Sequence, residues 1–171
     1  MCIGVAAGTA AGAAENLIAP DWKDGLPRTD AAQWTVEPSP GPDGAPGVKL
    51  TILRAADPFH RLQIGQPVRA AVPADHRVAL TFLARSPTRN PVRVVVEQAG
   101  PPWHASAEVN TKIPADWTAF GDTQTVQRAY AAGAMMARLQ VGHQAGTIEI
   151  AGLRVEDLGP DPAALAARAA L

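Results

Sequence analysis

The chain has 171 residues, enough for one domain with a single hydrophobic core. With 47% hydrophobic and 18% charged residues it is too apolar to be disordered. A formal net charge of −1 excludes a broad attraction to nucleic acid or anionic lipid, and no apolar run reaches the ~18 residues of a membrane-spanning helix.

Met1 to Ala14 (MCIGVAAGTAAGAA) is small, apolar and uncharged. Ala11-Gly12-Ala13 has the small-x-small form of a signal-peptidase site, so residues 1–14 read as the remnant of an export signal. The chain is therefore expected to be secreted or periplasmic. Cys2 is the one cysteine, so no internal disulfide forms, and no Cys/His spacing suits zinc.

The folded part is expected over residues 15–159. Gln33–Glu37 is a short strand candidate, and Pro38–Gly47 (PSPGPDGAPG) is a turn-rich loop. Val48–Leu53 alternates, with Val48, Leu50 and Ile52 on one face. Phe59–Ile64 reads as a strand with Leu62 and Ile64 on one face and Arg61 and Gln63 on the other. His76–Ser86 (HRVALTFLARS) places Val78, Leu80, Phe82 and Ala84 on one face. Pro91–Gln98 (PVRVVVEQ) does the same with Val92, Val94 and Val96, opposite Arg93 and Glu97. Pro87-Thr88-Arg89-Asn90 between them is a compact turn, which predicts a hairpin.

Trp103–Val109 and Trp117–Val126 are further strand candidates. Ala134–Val141 (AMMARLQV) is short and flanked by Gly133 and Gly142. It reads as a strand with Met135, Ala137, Leu139 and Val141 inward. Thr147–Val155 turns Ile148 and Ile150 inward. A bulge at Ala151-Gly152 then brings Leu153 and Val155 to the same side. Short strands at this regular spacing predict an all-β, antiparallel β-sandwich or jelly roll. Gly159-Pro160-Asp161-Pro162 ends it, and AALAARAAL (163–171) forms a helix too short to be stable alone. Residues 160–171 are expected to open a linker or a following domain.

The order of these pieces resembles a known family. Asn16-Leu17-Ile18, VALTFLARS (78–86), VRVVVEQ (92–98), Asp116-Trp117-Thr118-Ala119-Phe120 and LQVGHQAGTIEIAGLRVEDLG (139–159) together resemble the family 4/9-type carbohydrate-binding modules. The likeness is greatest to the N-terminal modules that precede bacterial family 10 glycoside hydrolases (xylanases), and it covers Asn16 to Gly159. It implies a jelly roll of the galactose-binding type without a catalytic site. It also implies a partner: a catalytic domain after Leu171, held by the module at xylan or another β-glycan. Sandwiches of this kind often hold a structural calcium between the first and last strands. Asn16, Glu37 and Asp157 are oxygen donors in about the right strands.

Sugar binding needs flat rings to stack on pyranose C–H faces and planar polar side chains to hold hydroxyls. Family members that grip a glycan present aromatic platforms, yet aromatics are only 5% of this chain. Trp103, in Pro101-Pro102-Trp103-His104, is either a ligand platform or the anchor of its loop. Trp34 and Trp117 hold strand positions suited to packing, Trp22 lies in a loop, and Tyr130 is a second aromatic candidate. Arg61, Gln63, Arg93, Arg138 and Gln140 lie on outward faces. Aligned, they make a polar surface able to read hydroxyls; otherwise they are a solvated sheet face. His143 and Gln144 occupy the turn before the last strand and are placed to rim a groove.

The carboxylates Glu97, Glu108, Glu149, Glu156 and Asp157 sit in no active-site motif, and glycoside hydrolysis needs two that face each other. Ser39, Ser86 and Ser106 sit in no nucleophile elbow, and there is neither a phosphate loop nor HExxH. Two readings follow: a carbohydrate-binding module, or a non-binding structural domain that packs on an adjacent catalytic domain. A secreted adhesion module is a third. An exposed aromatic lining a groove distinguishes the first from the second, and an exposed apolar patch without polar rim partners favours the third.

Overall fold

The computed structural model describes residues 14–19 and 32–170. The export-signal segment before Ala14, and Trp22, lie outside the described residues. Two antiparallel sheets pack face to face. One holds five strands in the order β1 (Trp34–Pro38), β2 (Gly47–Ile52), β9 (Gly146–Pro160), β4 (His76–Arg85) and β7 (Thr118–Thr125). The other holds four, in the order β3 (Gln63–Pro67), β8 (Met135–Gln140), β5 (Pro91–Gln98) and β6 (Ala105–Lys112). The expected all-β sandwich is thus the observed fold.

Alternation explains the core. Val48, Leu50 and Ile52 of β2, Val78, Leu80, Phe82 and Ala84 of β4, and Val92, Val94 and Val96 of β5 are all buried in one cluster. Met135, Ala137 and Leu139 of β8 and Ile148, Ile150, Leu153 and Val155 of β9 complete it, with Val141 just beyond β8. Each large apolar side chain so placed contributes about 1.5–3 kcal/mol from burial. In β9 the inward phase slips between Ala151 and Leu153. The pairing with β4 shifts there and Gly152 adopts φ +60°, a bulge at the expected position. Trp34 is buried in the core, as its strand position implies.

The hairpin of the two strongest strands is corrected. β4 lies between β9 and β7, whereas β5 lies between β8 and β6 in the opposite sheet. Alternation identifies the face a strand turns to the core, and both sheets offer one. The link over residues 86–90 is therefore a corner between sheets. Ser86 Oγ donates to the Thr147 carbonyl at 2.7 Å, and Asn90 Nδ2 donates to the Gln144 carbonyl at 3.0 Å. Both side chains are buried, so these bonds also meet the cost of burying polar groups.

Residues 59–64 are also corrected. Phe59–Arg61 is a 3₁₀ turn, and β3 begins only at Gln63. At the other end, α1 (Pro162–Ala169) follows β9 and buries no residue. Asp161 caps it, accepting from the Ala163 backbone N–H at 2.9 Å, and Arg168 pairs with Asp75 at 3.0 Å.

Candidate functional site

The outer face of the four-stranded sheet carries a polar row. Strand register sets Gln63 of β3 beside Gln140 of β8, Gln140 beside Arg93 of β5, and Arg93 beside Asn110 of β6. Adjacent strands lie about 4.8 Å apart, so the row spans ~14 Å. Each member points outward because its neighbours in sequence point to the core.

Hydrogen bonds fix the row. Arg93 grips Glu108 with two bonds, Nε to Oε1 at 2.8 Å and Nη2 to Oε2 at 3.0 Å. Its Nη1 donates to Gln140 Oε1 at 2.9 Å, and Gln140 Nε2 donates to Gln63 Oε1 at 3.2 Å. The Glu108 bond raises the Arg93 pKa above its ordinary value, against the opposing effect of burial. The guanidinium therefore stays charged. One row along, Arg138 Nη1 pairs with Glu97, and Arg138 Nη2 donates to the Ala99 carbonyl at 3.3 Å. Glu97 also lies 3.6 Å from Arg93 Nη1. Two guanidinium groups thus meet two carboxylates.

Turns at two edges raise walls on this floor. Phe59 and His60 rise from the 3₁₀ turn before β3, and Trp103 from the turn between β5 and β6. Together with Gln63, Arg93, Glu97, Asn110, Arg138 and Gln140 they line a cleft of about 530 Å³. Trp103 is 43% exposed, and the Arg138 guanidinium lies over its ring, 5.0 Å from the centroid. Phe59 is backed by His143, the rings stacked at 3.9 Å with 16° between planes. His143 Nε2 is buried without a hydrogen-bond partner among the described residues, and desolvation lowers the ring's pKa below its ordinary value.

Of the residues expected from sequence, Trp103, Gln63, Arg138 and Gln140 come together in the cleft, with Arg93. Others do not. Arg61 is in the 3₁₀ turn, where two-residue alternation fails, and it lines a separate cavity of about 270 Å³ beside Gln33 and Asp57. Tyr130 is buried, pairs its backbone with Val72, and forms part of another groove of about 520 Å³ between β6 and β7. A lone aromatic in a loop proved to be core. Gln144 Nε2 donates to the Thr88 carbonyl at 3.2 Å and so secures the inter-sheet corner. His143 supports a wall from behind.

The three expected calcium donors do not fit one ion. Glu37 shares a register row with Lys49 and Glu149, eight positions along β9 from Asp157. Asp157 instead pairs with His76 Nδ1 at 2.9 Å. The Asn16 side-chain oxygen accepts from the Val155 N–H at 3.0 Å. No group of three or more His, Cys, Asp or Glu placed to hold a metal occurs among the described residues.

Phe59, His60 and Asn110 were not singled out from sequence. One signal was present. Pro58-Phe59-His60 repeats the Pro-aromatic-His form of Pro102-Trp103-His104, and the aromatic residue of each becomes a wall.

No family model matches the chain, and no curated protein does. Solved structures match its fold. A CBM4 carbohydrate-binding module aligns with TM-score 0.59 and 21% identity over 75% of this chain and 81% of that one. The CBM22-1 xylan-binding domain of Paenibacillus barcinonensis Xyn10C aligns with TM-score 0.58 and 10% identity over 89% of this chain and 100% of that one. The Stig cyclase Fisc from Fischerella aligns with TM-score 0.56 and 10% identity over 80% and 81%. The chain therefore has the jelly-roll sandwich of carbohydrate-binding modules, a likeness spread over more than one module family. At these identities the likeness concerns the fold, which a cyclase also uses.

Proposed function

We propose that this chain is a non-catalytic carbohydrate-binding module whose cleft takes a short stretch of neutral β-glycan, of the xylan type. The observation that carries the reading is the pairing of aromatic walls, Phe59 and Trp103, with a hydrogen-bonded polar floor in one cleft. Rings stack on sugar faces while Gln63, Gln140 and Asn110 meet hydroxyls. The floor's charges balance, so a neutral ligand suits it better than a uronic acid. Among the described residues the floor's two carboxylates, Glu97 and Glu108, are each paired with an arginine, Arg138 and Arg93, which leaves neither free as acid or nucleophile for hydrolysis.

In a secreted enzyme, such a module raises the effective concentration of a linked glycoside hydrolase at plant polysaccharide. Calorimetric titration of the chain with xylo- and cello-oligosaccharides and with a uronate oligomer tests the reading. Saturable heat with the neutral sugars alone is expected. Preference for the uronate contradicts the neutral class, and flat titrations with all three contradict the binding role. The second reading, a structural domain against a catalytic neighbour, draws on Leu158 and Leu165, both exposed near the C-terminal end. It predicts those flat titrations.

A further inference from the structure

We propose that Arg138 is a positioning residue: it props the Trp103 indole as a platform and does not itself hold the glycan. The inference rests on the glycan-binding reading of the cleft.

Exposure separates the two residues. Arg138 is 3% exposed and Trp103 is 43% exposed, so a ligand reaches the ring and scarcely reaches the guanidinium. Two of the Arg138 donors are directed at the protein, Nη1 to Glu97 and Nη2 to the Ala99 carbonyl at 3.3 Å. Those in-plane bonds fix the guanidinium, whose central carbon lies over the Trp103 ring 5.0 Å from its centroid. Ala99 and Trp103 belong to the same turn, so Arg138 ties its base by a hydrogen bond and its tip by a cation–π contact.

The turn needs such a tie. Trp103 has φ +59°, a left-handed conformation that bulky residues rarely adopt. The opposite side of Arg138 is shaped to admit it. Gly65 faces it from β3, and a Cβ there would stand 3.1 Å from Arg138 Cγ. A ring held in place before the ligand arrives spares the cost of ordering it on binding.

The test uses the whole chain labelled with fluorotryptophan, the Trp103 resonance being assigned by its loss in Trp103→Phe. Arg138→Lys keeps a cation beside Glu97 and removes the planar face. In the ligand-free variant the Trp103 resonance is expected to move while those of Trp34 and Trp117 stay. Affinity for a xylo-oligosaccharide is expected to fall about tenfold. In a Trp103→Leu background the same Arg138→Lys change is expected to cost less than about twofold, since a prop has nothing left to hold.

An unmoved Trp103 resonance overturns the proposal. So does an equal loss of affinity in both backgrounds, which makes Arg138 a direct ligand contact. If Arg138→Lys unfolds the chain, Glu97→Gln/Arg138→Gln leaves no buried lone charge and is read in the same way. A wild type with a flat titration overturns the cleft reading and this inference together, and the wild-type titration alone reveals it.

Discussion

The two outer faces of the sandwich carry similar chemistry in different enclosures. On the five-stranded sheet, Glu37, Lys49, Glu149 and Arg85 fall in one register row. Arg85 holds Glu149 with two bonds of 3.1 Å and lies 5.0 Å over the Trp117 ring. On the four-stranded sheet, Arg93 holds Glu108 in the same way and Arg138 lies 5.0 Å over Trp103. The Arg85 side chain is 41% exposed, however, and that of Arg138 only 4%. The turns bearing Phe59 and Trp103 account for the difference. They rise over one face, thin the water there, and strengthen every polar contact beneath them. Residue type alone does not make the site; enclosure does.

Removing the same residue from each face gives the largest contrast. Arg138→Ala leaves the buried Glu97 only its longer, 3.6 Å contact with Arg93 and is expected to destabilise the fold by up to about 3–5 kcal/mol. Arg85→Ala removes a half-exposed partner from Glu149, which is itself buried but also has Ser39 and its register neighbour Lys49, and is expected to cost less, about 1–2 kcal/mol. Equilibrium urea unfolding measures both, and equal losses break the comparison. On affinity, Trp103→Ala removes a stacking surface and is expected to weaken oligosaccharide binding at least about tenfold, or 1.4 kcal/mol. Trp117→Ala is expected to leave it unchanged. The reverse order in a titration would move the site to the other sheet.

The alternation of HRVALTFLARS, PVRVVVEQ and AMMARLQV disclosed which side chains face inward, because a strand side chain has only two directions. It therefore also disclosed Arg93, Arg138 and Gln140 as outward. It could not assign β4 and β5 to different sheets, since both sheets accept the same pattern. Nor could it show Arg138 as buried, because its cover comes from a turn distant in sequence. Arg61 was misplaced by one structural fact: alternation stops where the 3₁₀ turn begins. Trp103 was legible because a Pro-Pro-Trp-His turn commits its ring to no strand.

A smaller effect sharpens the account of the floor. In Gly65→Ala the new Cβ would stand 3.1–3.3 Å from Arg138 Cγ, the Ala137 carbonyl and Met136 Cε. The change is expected to cost about 1 kcal/mol in unfolding free energy, and an unchanged value would mean Arg138 has room to move. Smallest is the pH dependence at the Phe59 wall. Burial holds the folded-state pKa of His143 below 6.5, so the unfolded chain takes the proton first as pH falls. Stability is unaffected by this group well above 6.5 and is lost as pH drops through 6.5 toward the lower folded value. Melting temperatures from pH ~7 to ~5 are expected to decline less in His143→Phe than in wild type. Parallel curves would show that the ring's burial has no energetic consequence.

The most direct test of the central claim is a map of where an oligosaccharide touches the molecule. Side-chain and backbone NMR shifts, followed as a neutral xylo-oligosaccharide is added, supply that map. The account predicts changes confined to Phe59, His60, Gln63, Arg93, Trp103, Asn110 and Gln140, the walls and floor of one cleft. Changes centred on Thr35, Thr51, Arg85 and Trp117 of the five-stranded face, or on the Tyr130 groove, would contradict it.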